Sequence, residues 1–168
     1  NGTWAFKLKR LSNGTVSKYK ARYCVRGDQQ TERVDYFETY VPVVQWSTVR
    51  LLLTMILAND WTTWQVDYTN AIAQATLKEE VYIETPRGYS FKDKQDKVLH
   101  LLKSLYGLKQ APHTFFEILR TSLLEQGFVQ SEHDMCLFMK KDIICVAYID
   151  NTIIIGPKNK IVAIGTDN

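Results

Sequence analysis

Ile143-Ile-Cys-Val-Ala-Tyr148-Ile-Asp150-Asn151-Thr-Ile-Ile-Ile155 is the stretch that decides the fold. Two apolar runs flank an Asp-Asn pair. Both residues favour tight turns, because their short polar side chains bond to nearby backbone and tolerate left-handed conformations. The stretch therefore predicts two strands, near 143–149 and 152–156, joined by a turn. Asp150 interrupts the apolar run, and an unpaired carboxylate buried there would be costly to desolvate. Either the turn exposes it or something cationic neutralises it. Tight-turn chemistry alone accounts for Asp-Asn without any function.

Upstream of this pair, a helix is predicted to start near Pro112, bury Phe115, Phe116, Leu119 and Leu123, and stop at Gly127; a strand near 136–140 follows. An earlier helix is predicted from an N-cap at Ser47, with Val49, Leu52, Leu53, Ile56 and Leu57 at three- and four-residue steps, as far as Asn59-Asp60. Strands are predicted near 63–68, 80–84 and 98–102. Asp67, at the end of the first of these, is a second acid beside a core strand. It matters only if the fold brings it to Asp150, 83 positions away.

At the front of the chain, Trp4, Phe6 and Leu8 alternate with Lys7 and Lys9, Asn13-Gly14 supplies a hairpin turn, and a return strand spans about 16–25. A two-residue period puts Tyr19, Ala21 and Tyr23 on one face of that strand and Lys18, Lys20 and Arg22 on the other. Such a cationic face suits phosphate. Residues 1–34 carry eight Lys or Arg against two acids, a net +6, whereas the remainder carries thirteen basic and sixteen acidic residues, a net −3. A basic end on a near-neutral body suggests a polyanion, nucleic acid or a triphosphate; a solvated charged surface is the plain alternative.

The 168 residues are 45% apolar and 23% charged, a globular composition with enough chain to bury a core. No apolar run approaches the roughly 18 to 20 residues that span a bilayer, and no signal-peptide pattern is present, so no membrane partner is expected. Three cysteines without a CxxC pair (Cys24, Cys136, Cys145) favour free thiols in a reducing compartment. His133 and Cys136 have a usable metal spacing, but two ligands do not make a site. With no internal repeat or low-complexity linker, the chain reads as one compact α+β unit whose two ends are cuts through a longer protein.

Several blocks stand in order along the chain: Lys18-Tyr-Lys-Ala-Arg22 with Arg26-Gly27, Asp35-Tyr-Phe-Glu-Thr39 and Pro42-Val43, then Gln65-Val-Asp67 with Ala71, Glu80-Val-Tyr-Ile83 and Pro86-Arg-Gly88. Leu105-Tyr-Gly-Leu-Lys-Gln-Ala-Pro112 is the most specific. Gly127-Phe128, Asp134, Leu137-Phe138 and Tyr148-Ile-Asp-Asn151 follow. Taken together these blocks resemble copia-type retrotransposon reverse transcriptases, which have Tyr-x-Asp-Asp where this chain has Tyr148-Ile-Asp-Asn151.

The resemblance implies an α+β fold: the fingers and part of the palm of a right-hand polymerase, with an antiparallel palm sheet, helices packed on one face and an N-terminal basic β-hairpin. It implies one partial domain over 1–168. About 1–60 and 68–110 would be fingers and early palm, about 61–68 and 111–168 palm, and the thumb absent. The implied reaction is RNA-directed DNA synthesis with two Mg²⁺ ions, roughly 3.5–4 Å apart, held by Asp67 and Asp150. Lys20 and Arg22 would grip the triphosphate, Gln110 border the template or incoming nucleotide, and Tyr148 pack beside the primer end. The implied partners are an RNA or DNA template with its primer, deoxynucleoside triphosphates, and the rest of the Pol polyprotein (thumb, ribonuclease H, integrase and protease). The implied location of an intact element's protein is intracellular, in cytoplasmic virus-like particles.

Four residues depart from the family pattern. Asn151 replaces the last Asp of the signature and removes a negative charge beside two dications, worth several kcal/mol even at an effective dielectric of about 20. Ile72 replaces the Phe beneath the incoming sugar, His113 an Arg, and Val41 an Ala. The changes at 41, 113 and 151 are each reachable by one C-to-T or G-to-A transition, the direction in which silenced genomic copies decay. The expectation is a reverse transcriptase segment inactivated at position 151. The alternatives are a non-catalytic nucleic-acid binder and a functionless relic.

Overall fold

Asn13-Gly14 closes the first hairpin as its chemistry predicts. Gly14 takes φ 84, and the Asn13 side-chain oxygen accepts hydrogen bonds from the Thr15 amide and hydroxyl at 3.0 and 2.7 Å. The computed structural model describes residues 1–89, 97–149 and 151–161. In chain order these form β1 (Gly2–Arg10), β2 (Val16–Val25), α1 (Trp46–Asn59), β3 (Thr62–Asp67) and α2 (Ala71–Gln74). Then come β4 (Tyr82–Glu84), β5 (Val98–His100), α3 (Ala111–Glu125), β6 (Val129–Gln130), β7 (Leu137–Lys140), β8 (Ile143–Tyr148) and β9 (Asn151–Gly156). All the named strand pairs are antiparallel, and the mixture is α+β. Among the described residues no helix is long and apolar enough to cross a membrane.

Although no linker marks a boundary, the chain divides into two compact units, each made of two separate stretches. The first takes Asn1–Thr39 and Ile72–Thr114. It contains the β1–β2 ribbon, the β4–β5 pair, and a core of Val25, Ile72, Val81, Ile83, Leu108 and Ala111. Its tightest feature is backbone on backbone. The Val25 amide donates to the Tyr106 carbonyl at 2.7 Å, and Gly107, at φ +96, leaves no room for a β-carbon, which would lie 2.0 Å from the Val25 carbonyl oxygen. A β-carbon on Gly27 would likewise lie 2.2 Å from the Gly107 oxygen. Arg26-Gly27 and Tyr106-Gly107 are therefore pressed together with nothing between them.

The second unit takes Tyr40–Ala71 and the chain from Phe115 onward. Its sheet has the strand order β3-β9-β8-β7-β6. In β8 the alternation sends Ile144 and Val146 to one side and Cys145 and Ala147 to the other. Ile144 and Val146 pack with Leu52 of α1 and Ile155. Cys145 and Ala147 pack with Phe115, Phe116, Leu119 and Leu123 of α3. The two helices thus cover opposite faces, which corrects the expectation that they share one. A central strand without polar alternation requires cover on both sides.

Both long helices end where punctuation predicts. Gly127, at φ 83, donates to the Leu124 carbonyl at 2.9 Å while the Phe128 amide reaches back to Leu123 at 3.0 Å. That is the paired closure of a glycine-terminated helix. Asp60 closes α1 in the left-handed region, its amide on the Ile56 carbonyl. The start of α1 differs from expectation: Gln45, not Ser47, is the N-cap, with no side-chain cap bond. The Gln45 amide instead donates to Asp134 Oδ2 at 3.0 Å, and the Gln45 side-chain amide to the His133 carbonyl at 2.8 Å.

Candidate functional site

In the five-stranded sheet Asp67 ends β3 directly opposite Asn151, the first residue of β9. Asn151 in turn faces Tyr148, the last residue of β8. Cross-strand partners share a face, with β-carbons about 5 Å apart. Asp67, Asn151 and Tyr148 therefore form one row across three strands. All three are exposed, and along each strand the row lies at the open end of the face that α1 covers farther in. Gln65, two residues before Asp67 on the same face, donates its side-chain amide to Asn151 Oδ1 at 3.3 Å. Beside the row, Ile149 sits at φ 52, a left-handed conformation that β-branched residues rarely adopt and that costs about 1–3 kcal/mol. Asp150 lies outside the described residues.

The row offers hard oxygen donors suited to a divalent cation, but among the described residues it carries a single negative charge, that of Asp67. No group of three His, Cys, Asp or Glu converges on a possible metal position among the described residues. Mg²⁺ prefers one or two carboxylates with water and phosphate oxygens completing its shell. Asp67 fits that role, and Asn151 Oδ1, already accepting from Gln65, is a weaker neutral donor. His133 and Cys136 do not form a site, because His133 is exposed and Cys136 is fully buried. Burial, with the nearby Asp134 charge adding to it, pushes the Cys136 thiol up to about 12, so it stays protonated.

In the other unit the ribbon register extends the cationic face beyond β2. Lys7 lies opposite Lys20, Lys9 opposite Lys18, and Ala5 opposite Arg22. Five cations therefore share one side, and Lys7, Lys9, Lys20 and Arg22 with Ala5 and Phe6 line a cleft of about 360 Å³. Like charges directly opposite one another destabilise a sheet, so this register is one that suits an anionic ligand. Its other face is aromatic, with Trp4 stacked on Phe6 and edge-on to Tyr23. The Arg22 guanidinium lies 4.4 Å over the Tyr106 ring centroid.

Two further site candidates are buried in the same unit. Ile72 belongs to its core. Gln110, only 1% exposed, donates to the Asp35 carbonyl at 2.9 Å and accepts from the Gln30 side-chain amide at 3.0 Å. The Gln30 oxygen accepts from the Lys109 amide at 2.8 Å. His113 lies 3.7 Å from Glu38, an ion pair when the imidazole is protonated. Val41, in the second unit, packs against the α3-side core.

Sequence reasoning missed the parts of Gln65, Gln30 and Tyr106, and it left Lys7 and Lys9 unassigned to the cationic face. The two lysines carried a signal, since the alternation that sorts β2 also sorts β1. The other three are fixed by contacts across 75 or more positions, such as Gln65 to Asn151 (86 apart) and Gln30 to Gln110 (80 apart), and no local pattern marks them.

A family model described as reverse transcriptase (RNA-dependent DNA polymerase) matches residues 1–164. The chain is 40% identical over 157 residues to the retrovirus-related Pol polyprotein from transposon RE2 of Arabidopsis thaliana, a match covering 91% of this chain and 11% of that protein. It is 33% identical over 165 residues to the corresponding polyprotein from transposon TNT 1-94 of Nicotiana tabacum, covering 95% and 12%. It is 31% identical over 160 residues to the transposon Ty1-H Gag-Pol polyprotein of Saccharomyces cerevisiae, covering 92% and 8%. The chain thus spans about a tenth of the length of these relatives. No solved structure matches it significantly. With its specific Leu105–Pro112 block inside a match running nearly end to end, the chain belongs to the reverse transcriptase (RNA-dependent DNA polymerase) family, among the copia-type retrotransposon Pol polyproteins.

Proposed function

We propose that this chain is the fingers and partial palm of an RNA-directed DNA polymerase whose nucleotidyl-transfer site is inactivated by asparagine at position 151. The five-stranded sheet is read as palm and the ribbon-bearing unit as fingers. Asp67 and Asp150 would hold Mg²⁺, which when bound activates the primer 3′-hydroxyl and stabilises the leaving pyrophosphate. Lys20 and Arg22 contact the triphosphate as point charge and fork. Tyr148 packs beside the primer end, Ile72 lies beneath the incoming sugar, and Gln110 borders the template or incoming nucleotide. The partners are primer–template, deoxynucleoside triphosphates and the remaining Pol segments, and the setting for an intact element is an intracellular virus-like particle.

The observation that carries this reading is the direct opposition of Asp67 and Asn151 across β3 and β9. Two segments 84 positions apart meet at the place where the family signature needs converging carboxylates, and the residue in the sheet is an amide. Mn²⁺ titration followed by paramagnetic broadening tests it. Broadening should centre on Asp67 and Asn151, and Asn151→Asp should tighten binding at least tenfold. Broadening elsewhere, or equal affinity in both proteins, would contradict the assignment.

A second reading is favoured by the ribbon, whose five-cation face is complete while the acidic row is not. A non-catalytic nucleic-acid binder would keep the first and dispense with the second. It binds with steep salt dependence and no need for metal.

A further inference from the structure

The cation–π contact between Arg22 and Tyr106 joins two motifs that no role yet connects, the ribbon's phosphate face and the Leu105–Pro112 block. Tyr106 is half-buried and Arg22 is exposed. The backbone that carries the ring is pinned to the strand. Its own carbonyl accepts from the Val25 amide at 2.7 Å, and Gly107 beside it lies flush on Val25 with no space for a β-carbon. Arg22 is three residues before Val25 on the same strand. Both side chains therefore spring from one backbone frame, and the guanidinium carbon lies 4.4 Å from the ring centroid.

The chemistry of the contact leaves Arg22 available. A guanidinium stacked on a ring uses its π face and keeps its N–H donors pointing outward in its own plane. An exposed arginine otherwise loses much of its rotamer freedom when it binds a ligand. Held flat in advance, it loses less. An ammonium, by contrast, has no plane to orient.

We infer that Tyr106 is a positioning residue, whose ring holds the Arg22 guanidinium flat so that its edge donors fork onto phosphate oxygens of a triphosphate. This rests on the reading of Lys20 and Arg22 as triphosphate ligands. The signature block thereby contributes to the phosphate site through Arg22, in addition to clamping the base of the ribbon.

The test uses inorganic triphosphate, which has no base or sugar, titrated calorimetrically into the whole chain at low salt. Tyr106→Leu should weaken binding roughly two- to fivefold, Tyr106→Phe should leave it unchanged, and Tyr106→Leu should have no further effect when added to Arg22→Gln. Equal weakening by Tyr106→Leu with and without Arg22→Gln would overturn the inference, as would equal loss in Tyr106→Phe and Tyr106→Leu. An unmodified chain that fails to bind triphosphate would instead remove the reading of Lys20 and Arg22, and the inference with it. Should Tyr106→Leu not fold, the unmodified chain still decides the placement by NMR. The Arg22 δ protons should be shifted upfield by the ring, and unshifted positions would overturn the inference.

Discussion

Asp67 and Asn151 are direct partners across β3 and β9, so the residue that lacks a charge stands beside the residue that supplies one. The neighbouring Tyr148 and the Gln65 amide complete an exposed row at one end of the sheet. A two-residue period puts all of these on one face, and only the folded register makes them neighbours.

Asp134 ties that sheet to α1. Its two oxygens accept from the amides of Gln45 and Cys136, both at 3.0 Å, and the residue is 4% exposed. Asp134→Ala leaves two amide donors without their acceptor and should cost about 2–4 kcal/mol. Chemical denaturation measures that loss, and amide hydrogen exchange should accelerate first at Gln45 and Cys136.

Much of the fold was legible because its signals are local. The ribbon follows from alternation and Asn13-Gly14, and the end of α3 from Gly127. The start of α1 was misplaced because its determinant, Asp134, lies 89 positions from Gln45. The opposite-face packing of the helices had a readable signal, the unbroken apolar run of β8, which the family expectation overrode. In the candidate site, Asp67 and Asn151 were legible as residue types. Their adjacency was implied only by the family resemblance, since register across distant strands is set by the whole core.

Gly27 and Gly107 should be intolerant of a methyl group. Gly107→Ala places a β-carbon against the Val25 carbonyl at an unfavourable φ, and the expected loss exceeds about 2 kcal/mol. Thermal unfolding should show a large fall in Tm for Gly107→Ala and a smaller fall for Gly14→Ala, which shares the unfavourable φ but meets nothing within 4 Å.

The cationic ribbon predicts opposite effects on stability and binding. Lys9→Gln removes one of two like-charged cross-strand pairs and should stabilise the hairpin by a few tenths of a kcal/mol. The same change should weaken single-stranded RNA binding and reduce the log–log salt slope by about 0.7 if Lys9 contacts a phosphate. Fluorescence anisotropy across a salt series reads both affinity and slope.

Two buried thiols predict an alkaline limit. Burial pushes Cys136 and Cys145 up to about 12 from an unfolded value near 9. The unfolded chain therefore loses these protons first. Their contribution to stability is complete below pH 9 and declines as pH rises toward 12. Denaturation midpoints should fall across that window, and less so in Cys136→Ala/Cys145→Ala. Native-state thiol labelling should modify the half-buried Cys24 well before the other two.

The most direct test of the account is primer extension on an RNA template with Mg²⁺, using the RE2 polyprotein with this chain in place of its matching segment. It is run with the chain unchanged and with Asn151→Asp. The account predicts no extension from the unchanged chain and measurable extension from the revertant. Equal extension by both would contradict the claim that the missing charge at position 151 disables the site.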